Sequence, residues 1–264
     1  MLEFITWNVD PEIFDLGFIA PRWYGLLFAG CFFFGYIILQ KIFKKEGVPE
    51  KVLDTLTTYM LIATVLGARF GHVFFYQPDY YLAHPMEILY VWQGGLASHG
   101  AAVGILIAIY VFSIKEKRPY LWVTDRIAII VALSGFLIRT GNLMNSEIYG
   151  HITDLPWGFK FVRDFPPGSV VDPRHPTQIY EALSYLAIFA YFIWYYYHKD
   201  GKTPKGYLTG MFFILIFGVR FLIEYLKVDQ VAFEAGMALN MGQLLSIPLV
   251  LSGLGLVLYS RKFR

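Results

Sequence analysis

The sequence holds a single cysteine, Cys31, among 264 residues. One thiol forms no intrachain disulfide and builds no cysteine cluster for a metal. It lies in an apolar run, where it reads as a small buried hydrophobe rather than a nucleophile. Charge is scarce as well: 16% of residues are charged, against about 25% in a soluble domain. The net charge of +2 points to no nucleic-acid partner. No internal repeat with a period of about 20–50 residues is visible, and no low-complexity linker interrupts the chain. A cleavable leader is not indicated either. The first 22 residues carry Glu3, Asp10, Glu12 and Asp15, the wrong sign for the start of a signal peptide.

What the chain does have is apolar surface. Hydrophobic residues make up 56% and aromatics 19%, and the mean hydropathy is +0.50. A bilayer, rather than water, is the solvent these values fit. A spanning helix needs about 20 mostly apolar residues. The windows that qualify are Trp23–Leu39, Leu56–Tyr76, Gly95–Ile114, Trp122–Ile138, Ile179–Tyr197, Tyr207–Leu226 and Met241–Tyr259. The expectation is an all-α integral membrane protein of about seven transmembrane helices, forming one polytopic domain over residues 1–264. Phe4–Phe18 mixes aromatics with acids and is expected to lie along the membrane interface.

Basic residues set the orientation. Lys41, Lys44, Lys45 and Lys51, then Lys115, Lys117 and Arg118, then Lys199, Lys202 and Lys205, then Arg261, Lys262 and Arg264 fall on one side. That makes thirteen, against five on the other: Arg22, Lys160, Arg163, Arg174 and Lys227. The N-terminus is therefore expected outside and the C-terminus in the cytoplasm. The longest loop, Asn145–His175, joins spans four and five on the outer side.

Arg, Lys or Asp at a helix centre costs about 2.5–3.5 kcal/mol on insertion scales, and persists where it pairs, lines a cavity or acts. Within or at the ends of the spans stand Arg69, His72, His99, Asp125, Arg126, Arg139, Glu147, Glu181, Arg220 and Glu224. Asp125 and Arg126 read as a snorkelling interfacial pair. Arg220 and Glu224 are four apart and share a helix face. Span four is expected to end at Arg139, followed by Thr-Gly-Asn-Leu-Met-Asn-Ser-Glu-Ile-Tyr-Gly to Gly150. Arg139, Asn142, Asn145, Ser146 and Glu147 put five hydrogen-bonding side chains into nine residues. Span three opens Gly94-Gly95-Leu96-Ala97-Ser98-His99-Gly100, whose glycines are expected to leave room beside the imidazole. The arginine fork matches phosphate oxygens bidentately. Arg139 and Arg220 thus point to a lipid-phosphate site facing the outer leaflet.

Taken together, IAPRWYGLL (Ile19–Leu27), GGLASHG (Gly94–Gly100), RTGNLMNSEIYG (Arg139–Gly150), RHPTQIYEA (Arg174–Ala182) and MGQLLSIP (Met241–Pro248) resemble the prolipoprotein diacylglyceryl transferases. The resemblance covers nearly the whole chain. It implies a bacterial inner-membrane enzyme with its active site towards the outer leaflet. The implied reaction moves diacylglycerol from phosphatidylglycerol to the lipobox cysteine of a prolipoprotein signal peptide. A thioether forms and glycerol phosphate is released, with no metal or cofactor implied. Carried over by position, the implied site residues are Tyr24, His99, Arg139, Asn142, Glu147, Gly150, Arg220 and Glu224. The chain departs from the pattern at Ile138, where the family often has glycine. It departs again at Ala101, in place of a second glycine, and at Ile216 and Phe217, where a tyrosine is expected.

For that reaction Arg139 and Arg220 are expected to grip the phosphodiester and stabilise it as it leaves. His99, or a carboxylate of Glu147 or Glu224, takes the thiol proton, and Asn142 and Tyr24 hydrogen-bond the head group or the loop. Two other classes compete. A lipid or anion transporter would use the same arginines, but a transporter often carries an internal repeat. An intramembrane hydrolase would need a paired nucleophile and base, and adjacent Ser98 and His99 do not face each other on a helix.

Overall fold

The computed structural model describes residues 4–17, 20–228 and 236–263. Glu3, Phe18, Ile19 and Arg264, which figure in the expectations above, lie outside the described residues. Helices α1 (Trp23–Lys45), α2 (Glu50–Phe75), α3 (Pro78–Ala83), α4 (Ser98–Lys115), α5 (Tyr120–Met144), α6 (Thr177–His198), α7 (Tyr207–Glu224) and α8 (Met241–Ser260) dominate. The all-helical expectation holds. Among the described residues, six of these helices are long and apolar enough to cross a membrane: α1, α2, α4, α5, α7 and α8. The remaining long helix, α6, has 22 residues, or roughly 33 Å at 1.5 Å per residue. Its opening Thr177, Gln178 and Glu181 and its many tyrosines make it less apolar than the others.

Helix ends differ from the hydropathy windows in two places that matter. First, α2 begins at Glu50, so Lys51 stands in its first turn rather than in a loop. Second, α5 does not stop at Arg139 but continues to Met144. Leu143 at its end is buried, and the Thr140 hydroxyl donates to the Phe136 carbonyl at 2.8 Å. Apolar contact on the inner face therefore carries the helix past its polar residues.

The chain divides into two compact units, Met1–Gly35 with Asp125–Arg264, and Tyr36–Thr124. In the first, the α7 and α8 helices cross at glycines: a Cβ on Gly210 would meet the Gly253 carbonyl at 2.8 Å. Small residues at such crossings let apolar helices approach closely. The expected snorkelling pair is corrected here. Asp125 is fully buried, and its carboxylate accepts from the Gly206 N–H at 2.7 Å and the Thr209 N–H at 2.8 Å. It therefore satisfies orphan amides at the start of α7, where the partial positive end of the helix favours an anion.

The N-terminal stretch is not wholly an interfacial segment. Strand β1 (Ile5–Trp7) pairs in parallel with β2 (Phe159–Phe161) from the long outer loop, Ile5 against Phe159. Leu143, Phe159 and Phe161 form a small core beneath them, flanked by Trp7, Tyr149 and Ile179. The Trp7 indole N–H donates to the Leu143 carbonyl at 2.9 Å. The Arg163 guanidinium pairs with Asp10 at 2.7 Å. The loop is thereby held over the end of α5.

In the second unit, α2 and α4 pack backbone to backbone. A Cβ on Gly71 would meet the Gly100 Cα at 2.7 Å, and one on Gly67 would meet the Gly104 Cα at 3.1 Å. Arg69 is 3% exposed and clamps the segment leading to α4. It donates to the carbonyls of Ile88 at 2.9 Å and Gly94 at 2.7 Å, and to that of Glu87.

Candidate active site

The last turns of α5 carry the first part of the site. The Arg139 Nη1 donates to Asn142 Oδ1 at 3.0 Å. The Asn142 amide in turn donates to Glu147 Oε1 at 2.8 Å, and the Asn145 amide donates to the same oxygen at 3.2 Å. Asn142 therefore serves the site rather than the end of its own helix. Among the described residues, Glu147 reaches Arg139 through Asn142.

The turn that follows is strained. Ser146 and Ile148 have φ of 55° and 60°, a region costly for any residue with a Cβ and most so for a β-branched one. The start of α6 holds this turn in place. The Gln178 amide donates to the Glu147 carbonyl at 2.7 Å, and the Thr177 hydroxyl donates to the Ile148 carbonyl at 2.8 Å. Gly150 closes the turn. Its N–H donates to the His175 carbonyl at 2.8 Å, and a Cβ there would meet His175 Cβ at 2.7 Å. The sequence-predicted residues Arg139, Asn142, Glu147 and Gly150 are thus one continuous assembly, with Gly150 at its backbone junction.

Helix α7 brings the second arginine. Arg220 pairs with Glu224 at 3.5 Å, one turn along, as the spacing predicts. The N-terminus of α8 makes room for that pair: a Cβ on Gly242 would meet the Glu224 Cδ at 2.6 Å. Asn240 and Gln243 form a reciprocal capping box there, and the Gln243 amide donates to the Phe221 carbonyl at 3.3 Å. The MGQ of the last motif therefore seats α8 on the end of α7.

Two residues outside the predicted set join the halves. Glu181 on α6 is fully buried and Lys227, just past α7, is 4% exposed. Arg139 Nε lies 2.8 Å from Glu181 Oε2. Lys227 Nζ lies 3.0 Å from Glu181 Oε1 and 3.2 Å from Glu224 Oε2. The ion pairs run without a break from Arg139 through Glu181, Lys227 and Glu224 to Arg220. Glu181 was visible as a polar residue within a span, and Lys227 only as an outer-side base. Their pairing spans 46 residues, which no local pattern reports.

Arg139 is held by Asn142 and Glu181, whereas Arg220 has a single 3.5 Å ion pair with Glu224. Among the described residues, Arg139 Nη2 and the Nε and Nη1 of Arg220 have no protein partner. Three donors on two ion-paired cations are therefore available to an anion. Tyr24 on α1 packs its ring on α5, where a Cβ at Gly141 would meet Tyr24 Cδ2 at 2.8 Å. Its phenol lies within electrostatic reach of Glu147 and Arg139.

His99 belongs to the second unit and stands in the first turn of α4. Its ring meets Phe75 edge-on at 5.2 Å and Tyr76 at 5.9 Å. Among the described residues it has no hydrogen-bond partner, so both ring nitrogens are free. It lies on an apolar groove of about 630 Å³ between α2 and α4. The expectation that flanking glycines open space beside it is corrected for two of the three. Gly100 is filled by the α2 backbone, and a Cβ on Gly95 would meet His72 Cδ2 at 2.7 Å. Only Gly94 has open space around it.

The sequence matches the model of the family described as prolipoprotein diacylglyceryl transferase over residues 11–259. A relative from Tolumonas auensis named phosphatidylglycerol–prolipoprotein diacylglyceryl transferase is 49% identical, over 98% of this chain and 98% of its own. A relative of the same name from Chloroherpeton thalassium is 45% identical over 98% and 96%. One from Porphyromonas gingivalis is also 45% identical, over 98% and 95%. With the match running from before α1 into the last turn of α8, the chain belongs to the prolipoprotein diacylglyceryl transferase family.

Proposed function

We propose that this protein transfers the diacylglyceryl group of phosphatidylglycerol to the thiol of a lipobox cysteine in a prolipoprotein signal peptide. The family and the names of its relatives support the reaction. The observation that carries the site is the pair of guanidinium groups, Arg139 and Arg220, each ion-paired with a carboxylate and each with donors to spare. The thiol loses its proton and the thiolate sulfur attacks the glycerol carbon that bears the phosphate. A C–S bond forms, the C–O bond breaks, and the electron pair leaves on the phosphate oxygen as glycerol phosphate. Charge grows on that oxygen in the transition state, where preoriented donors contribute most. Arg139 and Arg220 hold it; Asn142, Glu147, Glu224 and Gly150 fix the surfaces around them, and Tyr24 faces the head group.

His99 is the proposed proton acceptor. Of the alternatives, Glu147 already accepts from Asn142 and Glu224 is ion-paired with Arg220 and Lys227, whereas the His99 nitrogens are uncommitted. The protein works as one polytopic domain of the bacterial inner membrane. With α6 as its seventh span, its N-terminus is outside and its site faces the outer leaflet. The charge distribution of the loops supports that orientation.

The test is direct. Purified protein, phosphatidylglycerol vesicles and a lipobox peptide should give a peptide heavier by one diacylglyceryl group, and vesicles of phosphatidylcholine should not. An unmodified peptide with phosphatidylglycerol overturns the proposal. Movement of intact lipid across the vesicle without peptide modification would instead identify a transporter.

A further inference from the structure

Three carboxylates and three cations make up the site: Glu147, Glu181 and Glu224, with Arg139, Lys227 and Arg220. Two of the six, Glu181 and Lys227, are closed to solvent, with side-chain exposures of 0% and 3%. They are not placed to touch a lipid phosphate, yet every ion-pair path between the two arginines passes through them. Glu181 divides its two oxygens. One lies 2.8 Å from Arg139 Nε. The other lies 3.0 Å from Lys227 Nζ and accepts from the Tyr185 hydroxyl at 3.2 Å. Tyr185 is seated in a notch of α5, where a Cβ at Gly135 would meet its ring at 2.8 Å.

Glu181 Oε2 sits 2.8 Å from Nε as an ion pair, with no hydrogen bond to that oxygen, so it fixes where the guanidinium lies while the bond from Nη1 fixes how the fork turns. Asn142 holds a second nitrogen of the same fork. What remains, Nη2, has no protein partner among the described residues. Lys227 keeps Glu181 from drawing the whole fork onto itself, since the cation shares the carboxylate. Through Glu224 the same ammonium holds Arg220 at the far end.

We propose that Glu181 is a positioning residue for the transfer reaction, with Lys227 as its counter-ion: together they aim Arg139 and tie it to the Glu224–Arg220 pair. The inference rests on the transferase reading above. It adds a buried acid and a buried base that act on the phosphate only through the arginines.

Four proteins test it: wild type, Glu181→Gln, Lys227→Met and the double variant Glu181→Gln/Lys227→Met. Each is assayed for transfer to a lipobox peptide, with kcat and KM for phosphatidylglycerol measured separately. Each is also assayed for thermal stability in detergent and for binding of glycerol phosphate. Misplacing a catalytic group by about 1 Å costs about 100-fold in rate, so Glu181→Gln should lower kcat by about that factor, with part of its Tm lost because the buried Lys227 keeps only Glu224 as a partner. Lys227→Met leaves two buried acids without their shared cation and should lose both Tm and transfer. The double variant restores charge balance. Its Tm should recover while its kcat stays near that of Glu181→Gln. A purely structural role predicts that activity follows Tm, so recovery of both in the double variant overturns the proposal. So does a Glu181→Gln enzyme with kcat within twofold of wild type. If the wild type transfers nothing, the function is misassigned, and the glycerol phosphate arm then decides alone. Weaker binding by Glu181→Gln upholds the positioning role and equal binding rejects it.

Discussion

Asp125 at the start of α5 holds Thr209 in the first turn of α7 by two bonds of 2.8 Å, one to its N–H and one to its hydroxyl. Arg220 lies eleven residues further along the same helix, so this cap fixes the end of α7 opposite the site. A buried acceptor at a helix N-terminus contributes about 0.5–2 kcal/mol. Asp125→Ala should destabilise the fold by an amount in that range or above, read as a lower midpoint of thermal unfolding in detergent, because buried amides lose their acceptor. Thr209→Val removes only the hydroxyl and should cost less. Equal stability of Asp125→Ala and wild type would show that the cap contributes nothing.

The fork of each arginine should matter beyond its charge. Arg139→Lys and Arg220→Lys keep the cation but lose the planar geometry that holds one edge while offering another. Transfer should fall about 10²–10³-fold, the loss seen when one preoriented donor is removed from a developing anion. A near-normal rate in either lysine variant would remove that residue from the phosphate grip.

Gly242 is expected to be intolerant of a methyl group. In Gly242→Ala the new Cβ collides with the Glu224 carboxyl, and overpacking of this kind costs about 1–3 kcal/mol. The carboxylate must turn away from Arg220, so transfer should drop at least tenfold while the protein still inserts. Comparison with Gly255→Ala, where a Cβ meets open space, controls for helix effects. Similar transfer rates in the two variants would sink the prediction.

The proton acceptor can be identified by pH. His99→Gln keeps the size and a hydrogen-bonding end but accepts no proton near neutrality. If His99 is the base, its transfer should be low at neutral pH and rise with pH as the thiol ionises unaided. Robust turnover at neutral pH would transfer the role to Glu147 or Glu224.

His175, outside the spans, gives a stability dependence with a fixed sign. Burial, and then the neighbouring His151, hold its imidazole below the ordinary value of 6.5. As pH falls the unfolded chain binds the proton first, so folding weakens as pH drops through 6.5 and strengthens as it rises. His175→Gln should flatten that part of the Tm curve between about pH 7 and pH 5. An unchanged slope would assign the effect to other groups.

The spans themselves were legible. Long apolar windows predict helices at α1, α2, α4, α5, α7 and α8 because burying a backbone in hydrocarbon requires its hydrogen bonds to be made locally. The i,i+4 pair Arg220–Glu224 was legible for the same reason: both residues sit on one helix, where spacing is contact. Arg139, Asn142 and Glu147 could be read from their density in one segment. The end of α5 could not, since Leu143 is drawn onward by the small core under β1 and β2, which only a distant segment supplies.

By itself the sequence determined a helical membrane chain and a family, and it singled out two arginines as the proposed anion ligands. These follow from composition, period and motif, which are properties of neighbours along the chain. Only the tertiary structure decided that Asp125 is a buried helix cap rather than a snorkelling partner, and that Gly100 is a helix contact rather than an opening. It also decided that Glu181 and Lys227 join Arg139 to Arg220. Each of those depends on which side chains meet across helices. A buried charge persists only beside its partner, and these partners lie dozens of residues away.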